Sequence, residues 1–313
     1  MSEETRIRVA LLAGGRSSER EVSLKGALGV EKALDPGKFL VKRYDPATDL
    51  AALAQDAPSI DVAFILLHGL YGEDGTVQGF LDLLGIPYQG AGVLGSAMAM
   101  DKNLAKIMYR LHGLPVANWE MARPQDVQAP CRLLESLHLP LVIKPVRAGS
   151  SIGMSIVTTE EELGKGIKLA YEHDSQVMVE QFVKGREITG GVLGNDELFA
   201  LPLVEIIPNK EFLFFDYTAK YQAGASREIC PAPIGAELTA KAQQFALAAH
   251  RALQLRGYSR TDMIVTDEGD ITLLETNTIP GMTPTSLLPQ AAAVHGLAFP
   301  ALLERLIELA MET

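Results

Sequence analysis

The chain has 313 residues, 47% of them hydrophobic and 21% charged, which is ordinary globular material with room for two or three cores at about 150 residues each. Its formal net charge of −11 leaves no general basic face for nucleic acid or an anionic membrane, so a bound anion must meet local cations. Cys131 and Cys230 lie far apart without CxxC spacing, which argues against a disulfide framework or structural zinc, and both are expected as small core residues.

The first residues, MSEETRIRVALL, lack the apolar core of a signal peptide, and no run reaches the roughly 18 apolar residues of a membrane span. A cytoplasmic protein with neither membrane nor nucleic acid as partner is expected. Arg6 to Ala13 predicts a strand ended by Gly14-Gly15, and Ser18-Glu19-Arg20-Glu21 matches the S-x-x-E capping box, opening a helix to about Leu34. Strands over Phe39 to Tyr44 and Asp61 to Leu67 alternate with helical segments, the pattern of a parallel sheet with crossover helices. Val77, Phe80, Leu81 and Leu84 recur at helical spacing, so Thr76 to Leu84 predicts an amphipathic helix closed by Gly85.

From Met100 the pattern changes. It predicts helices over Asp101 to His112, near Pro130 to Leu137 and over Glu160 to His173, with strands at Leu141 to Lys144 and Gln176 to Glu180. Phe182-Val183-Lys184-Gly185 reads as a hinge, followed by strands at Glu187 to Leu193 and Leu198 to Ile206, a helix over Leu238 to Gln254, a hairpin and a C-terminal helix. The fold class is α/β, α+β in part, in three pieces with bounds at 1–98, 99–184 and 185–313.

Gly14-Gly15 lacks the further glycines of a dinucleotide fingerprint, which leaves a tight turn or a substrate loop at the sheet edge, where Glu19 could hold an ammonium group. His68 follows the third strand at the same edge, either as a structural hydrogen-bonding group or as a site residue. In IKPVRAGSSIG, residues 143–153, no lysine follows the glycines, so this is not a Walker A loop. The stretch still suits phosphate capture, with backbone N–H groups and two hydroxyls in a mobile lid and Lys144 behind it on a strand; an ordinary loop with a solvated lysine is the alternative.

The hairpin carries the clearest physical signal. A two-residue turn at Glu268-Gly269 would set Thr266 opposite Ile271 and Asp262 opposite Glu275, with Asn277 on the same face. Like charges directly opposite repel, and a hard divalent cation reverses that sign; two carboxylates and an amide are ligands Mg²⁺ prefers. A solvated acid pair is the other reading, weakened by the flanking Met263, Ile264, Leu273 and Leu274. The Glu180 to Val183 hinge, with Glu187 nearby, could receive a purine.

Several stretches, in this order, resemble the ATP-grasp superfamily and within it the D-alanine–D-alanine ligase family. They are AGGRSSEREVS at 13–23, LLHGLYGEDGTVQG at 66–79, MDK at 100–102, IKPVRAGSSIGMS at 143–155, FDYTAKY at 215–221, GYSRTDM at 257–263 and LLETNTIPGMTPTSLLP at 273–289. The resemblance covers nearly the whole chain. It implies an N-terminal parallel α/β piece, and ATP held between a small central piece with a glycine-serine lid and a C-terminal antiparallel sheet. It also implies that Lys102, Lys144, Lys220 and Ser151 bind ATP at its phosphates, while Glu180, Gln181, Phe182, Val183 and Glu187 hold adenosine. Asp262, Glu275 and Asn277 would carry two Mg²⁺ ions, with Mn²⁺ as a substitute. Glu19 and His68 would meet the first D-alanine, Ser150, Tyr221 and Glu19 would form a hydrogen-bonded set, and Arg260 with the Gly281 N–H would steady a tetrahedral intermediate. Ser286 and Leu287 would receive the second D-alanine. Gln181 stands where many relatives have lysine, and Phe215 where tyrosine is frequent. The implied activity is ATP-dependent joining of two D-alanines through an acyl phosphate for peptidoglycan precursors, by a homodimer. A relative using D-lactate or D-serine, or a nucleotide-binding regulatory module, are the competing readings.

Overall fold

The structure, a computed structural model, describes residues 6–208 and 226–312. Lys220, Tyr221 and Phe215 lie outside the described residues.

Three sheets organise the described residues. The first is parallel, in the order β2-β1-β3, from β1 (Ile7–Leu12), β2 (Phe39–Tyr44) and β3 (Val62–Ile65). Its central strands are apolar without alternation because both faces are covered. Val9, Leu11, Val62 and Phe64 face α1 (Arg20–Ala33) and the last helix of the chain, whereas Ala10, Leu12, Ala63 and Ile65 face α2 (Leu50–Asp56) and α3 (Thr76–Leu84). The end of α3 is as expected: Gly85 takes φ 66°, a left-handed cap that Cβ-bearing residues disfavour. The start of α1 differs. Glu19, not Ser18, is the N-cap, without a side-chain cap bond, and its N–H is bound to Ser17 Oγ at 3.2 Å. The capping box of Ser18 and Glu21 does not form because the helix begins one residue later than that box requires, at Arg20.

After α4 (Val93–Met100) and α5 (Lys102–Leu111), capped by Asp101 through the Leu104 N–H, the second sheet runs β4-β7-β5-β6. Its strands are β4 (Trp119–Met121), β5 (Leu141–Pro145), β6 (Ser155–Val157) and β7 (Val177–Gln181), all antiparallel. Period-2 alternation divides its faces: Leu141, Ile143, Val177 and Val179 pack on α6 (Glu160–Tyr171), so Val142, Lys144 and Glu180 look the other way, into a cleft. The expected helix near residues 130–137 is a 3-10 turn, Pro130–Glu135. Cys131 there is exposed and Cys230 only partly buried, so neither is the core residue expected.

The third sheet, β11-β10-β8-β12-β13, is antiparallel, with β9 (Phe199–Ala200) beside β8 (Arg186–Gly194). Its other strands are β10 (Val204–Pro208), β11 (Ser226–Ile229), β12 (Gly257–Val265) and β13 (Ile271–Asn277). The single strand expected over 198–206 is broken in two, as β9 and β10. Helix α7 (Ala236–Ala252) covers one face through Ala242, Ala246 and Ala249. The single C-terminal helix expected is two, α8 (Leu287–Val294) and α9 (Phe299–Met311), parted near Gly296 at φ 99°. α9 returns to pack on α1 and β3.

His250 on α7 is buried, with Nδ1 2.7 Å from Ser259 Oγ. Burial, reinforced by Arg251, pushes its pKa from 6.5 down to about 4. The unfolded chain therefore binds the extra proton first, and stability falls as pH drops from 6.5 towards 4. His250→Asn should flatten that slope: in urea unfolding across this window, the native chain should lose about 3 kcal/mol more than the variant.

Candidate functional site

The second and third sheets turn their uncovered faces to one another, and the loops at the edge of the first sheet close the third side. Two adjoining cavities lie between them. One, of about 170 Å³, is lined by Lys144, Ser151, the 180–183 hinge, Glu187, Asp262 and Glu275. The other, of about 100 Å³, is lined by Glu19, His68, Glu73, Arg260, Asn277 and Gly281. Lys102, Ala148, Ser150 and Glu275 line both.

The hairpin places Asp262 opposite Glu275 as expected, though by another route. Thr266 pairs with Asp270 around a turn of 267–269, so Val265, not Thr266, faces Ile271. A bulge then restores the register, because Met263 pairs with Leu273 while Asp262 pairs with Glu275, leaving Leu274 as the extra residue. The reason lies in the core. This pairing buries Ile271 and Leu273, whereas the unbulged one would turn Thr272 and Leu274 inwards. After the bulge, Leu274 and Glu275 both line the larger cavity while Thr276 points back into the protein.

The repulsion between these acids is already relieved by cations. Arg260 donates to both oxygens of Asp262, Nε to Oδ1 at 2.9 Å and Nη2 to Oδ2 at 2.8 Å, and Thr189 Oγ1 adds a bond to Oδ1 at 2.6 Å. Lys102 Nζ stands 3.6 Å from Glu275 Oε2 and donates to Ala148 O at 2.8 Å. The expectation that only a metal makes the pair tolerable is thus corrected. The donor set nevertheless suits a hard cation: Asp262 Oδ2 retains a lone pair, Glu275 borders both cavities and the third group is an amide oxygen. With its amide oriented to satisfy both neighbours, Asn277 accepts from Arg260 Nη2 at 3.0 Å and donates to Glu73 Oε1 at 3.1 Å.

Ser150 Oγ donates to Glu19 Oε1 at 2.5 Å, joining the glycine-serine loop to the first sheet. Ser150 and Ser151 hold φ of 51° and 56°, both in the left-handed region, and both line the larger cavity. The Gln181 side chain turns away from the cavity and clasps the backbone of His138 and Pro140, leaving the main chain of 181–183 along the cavity wall. Ser286 stands at the N-cap position of α8 without a side-chain cap bond, its Oγ accepting from the Thr283 N–H, with Leu287 as the first helical residue; both line a third cavity with Arg260 and Gly281. Helix N-terminal N–H groups of this kind receive carboxylates.

Two residues escaped the sequence reading. Glu73 lies inside the HGLYGEDG stretch at 68–75, accepts from the Gly69 N–H at 2.6 Å, and is pushed up to about 8 by burial and by the charge of Glu19. The adjacent acids Glu73-Asp74 in a sheet-edge loop were the available signal. Lys106, one helical turn after Lys102, is fully buried and bridges to Glu180, whose other oxygen carries Lys144. Burial works against the Glu180 charge, yet the two ammonium groups outweigh it and hold the carboxyl low; burial draws Lys106 down against the opposing pull of Glu180. His68 is lowered mainly by its own burial.

Comparison with known proteins gives a consistent picture. The family model described as "D-ala D-ala ligase C-terminus" matches residues 108–308, and "D-ala D-ala ligase N-terminus" matches 42–91. The chain is 62% identical over 308 residues to a D-alanine–D-alanine ligase of Desulfotalea psychrophila, covering 98% of this chain and 96% of that one. Among solved structures it is similar to D-alanine–D-alanine ligase from Bacillus anthracis complexed with ATP, at 34% identity and TM-score 0.85, covering 98% of each chain. It is equally similar to the VanG D-Ala:D-Ser ligase from Enterococcus faecalis, at 34% identity and TM-score 0.85 over 97% of this chain and 99% of that one.

Arg260→Met leaves the buried Asp262 carboxylate without its bidentate partner. Urea unfolding without divalent cations should show a loss of about 3 kcal/mol or more, partly recovered when Asp262→Asn is added.

Proposed function

The chain belongs to the D-alanine–D-alanine ligase family, and we propose that it joins two D-alanines to D-alanyl-D-alanine, with ATP going to ADP and phosphate, for peptidoglycan precursors. The observation that carries this reading is the shared wall of the two cavities at Lys102, Ser150 and Glu275. A nucleotide in the larger cavity would end at this wall, and an acceptor in the smaller one would begin there.

A carboxylate does not condense with an amine in water because its oxygen is a poor leaving group; phosphorylation supplies one. In this reading Glu180, the backbone of 181–183 and Glu187 hold adenosine, while Lys102, Lys144, Ser151 and the loop N–H groups hold the phosphates. Lys220 and Tyr221, outside the described residues, are assigned to the phosphates and to the Ser150–Glu19 pair. Mg²⁺, with Asp262, Glu275 and Asn277 as its ligands, would neutralise charge on the transferring phosphoryl group.

Glu19, with His68 beside it, holds the ammonium of the first D-alanine so that its carboxylate meets the γ-phosphate and becomes an acyl phosphate. Ser286 and the N–H of Leu287 hold the carboxylate of the second D-alanine, leaving its amine to attack. Arg260 and the Gly281 N–H stabilise the oxyanion that develops. The loop around Ser150 excludes water, which would hydrolyse the acyl phosphate. The reading takes residues 1–98, 99–184 and 185–313 as its three working units. It also includes a cytoplasmic setting and a homodimer, the latter supported by the exposed Leu83, Val93 and Leu94 on the neighbouring helices α3 and α4.

The decisive assay is D-alanine-dependent ADP release with identification of the dipeptide. Offering D-serine or D-lactate beside D-alanine should leave D-alanyl-D-alanine the main product; a mixed product in excess would select the competing acceptor. Glu275→Gln should lower turnover at least ~100-fold while the thermal melting profile stays near that of the parent, and unaltered ADP release would remove Glu275 from the chemistry.

A further inference from the structure

One carboxylate in the cleft holds two lysines, and only one of them can reach a ligand. Lys106 from α5 meets Glu180 Oε1 and Lys144 from β5 meets Oε2. Lys144 and Glu180 line the larger cavity; Lys106, with no side-chain exposure, lies behind them against the face of Trp119, whose ring centre is 5.6 Å from its Nζ. Trp119 is in turn fixed by its Nε1 donating to Asn103 Oδ1 at 2.8 Å. Lys106 is therefore a fixed counter-ion, and Lys144 is the exchangeable one.

The arrangement has a physical consequence. Glu180 is only 3% exposed, and a carboxylate at that depth is costly to leave unpaired. With Lys144 as its sole partner, any move of Lys144 towards another anion would strand Glu180, and the carboxylate would compete for the ammonium. With Lys106 in place the carboxylate stays paired after Lys144 leaves, and the trio carries a net positive charge facing the cavity.

We propose that Lys106 is a positioning residue for the nucleotide, holding Glu180 so that Lys144 can exchange that carboxylate for a phosphate oxygen of ATP. The inference rests on Lys144 being a phosphate ligand, as in the reading above. Lys106 itself touches no substrate.

Calorimetric affinities for ATP and for adenosine separate these claims, since adenosine lacks the phosphates. Lys144→Met should weaken ATP at least ~tenfold and leave adenosine within about twofold. If it does not, the phosphate role of Lys144 fails, whatever Lys106 does. Lys106→Met should likewise weaken ATP ~tenfold and spare adenosine, whereas Lys106→Arg, which keeps the charge, should hold ATP affinity to within about threefold of the parent. Equal losses for ATP and adenosine, no loss in Lys106→Met, or a loss in Lys106→Arg equal to that in Lys106→Met would each overturn the proposal while leaving Lys144 in place. Lys106→Gln gives a second neutral variant, independent of how Lys106→Met folds: ATP should again weaken with adenosine spared, and unchanged ATP binding would count against the exchange.

Discussion

The cleft concentrates acids. Glu19, Glu73, Glu180, Asp262 and Glu275 all line it, in a chain whose formal charge is already −11. Such a cluster can be buried only if each carboxylate finds a cation or a proton, because desolvated charge without a partner costs several kcal/mol. Each solution is visible in the structure: Arg260 on Asp262, Lys102 near Glu275, two lysines on Glu180, and a raised proton affinity at Glu73. The charge balance of the protein thus sets which side chains are available to substrates and which are committed to one another.

Helix α5 carries much of that balance. Lys102, Lys106 and Tyr109 stand at i, i+4 and i+7 on one face. The first reaches the loop carbonyl of Ala148, the second reaches Glu180 in the second sheet, and the Tyr109 hydroxyl donates at 2.7 Å to Thr276 Oγ1 on β13, which meets Thr261 Oγ1 on β12 at 2.9 Å. One helical stripe therefore ties the lid, the hinge strand and the hairpin together. Its outer side carries the exposed Leu104, Ile107 and Leu111, so hydropathy along the helix says nothing of this cross-linking.

Elements whose pattern is local were legible in the chain. The unalternated runs of β1 and β3 and the span of α3 with its glycine cap follow from periodicity and turn chemistry, whereas the opposition of Asp262 and Glu275 was expected from a two-residue turn and is reached through a longer turn and a bulge. What was not legible depends on groups distant in sequence. Ser18-x-x-Glu21 has the form of a capping box, but the helix begins at Arg20 and Glu19 meets Ser150, 131 residues away. Glu180, read from the sequence as an adenosine residue, gives no hint that Lys106 and Lys144 meet its two oxygens. The core's preference for Ile271 and Leu273 over Thr272 decided the hairpin register, which a turn rule alone cannot weigh.

The bulge at Leu274 and the three-residue turn at 267–269 are two halves of one parity. Strand residues alternate sides, so an odd residue added at the turn and another added at the bulge cancel for everything beyond them. Either alone would invert the outer end of β13, sending Glu275 and Asn277 into the alanine-lined underside against α7 and Thr276 out into the cleft. Changes of length in this ribbon are consequently constrained to occur in compensating steps, and a single-codon insertion or deletion between Thr266 and Glu275 would be felt as a change of side rather than a change of length.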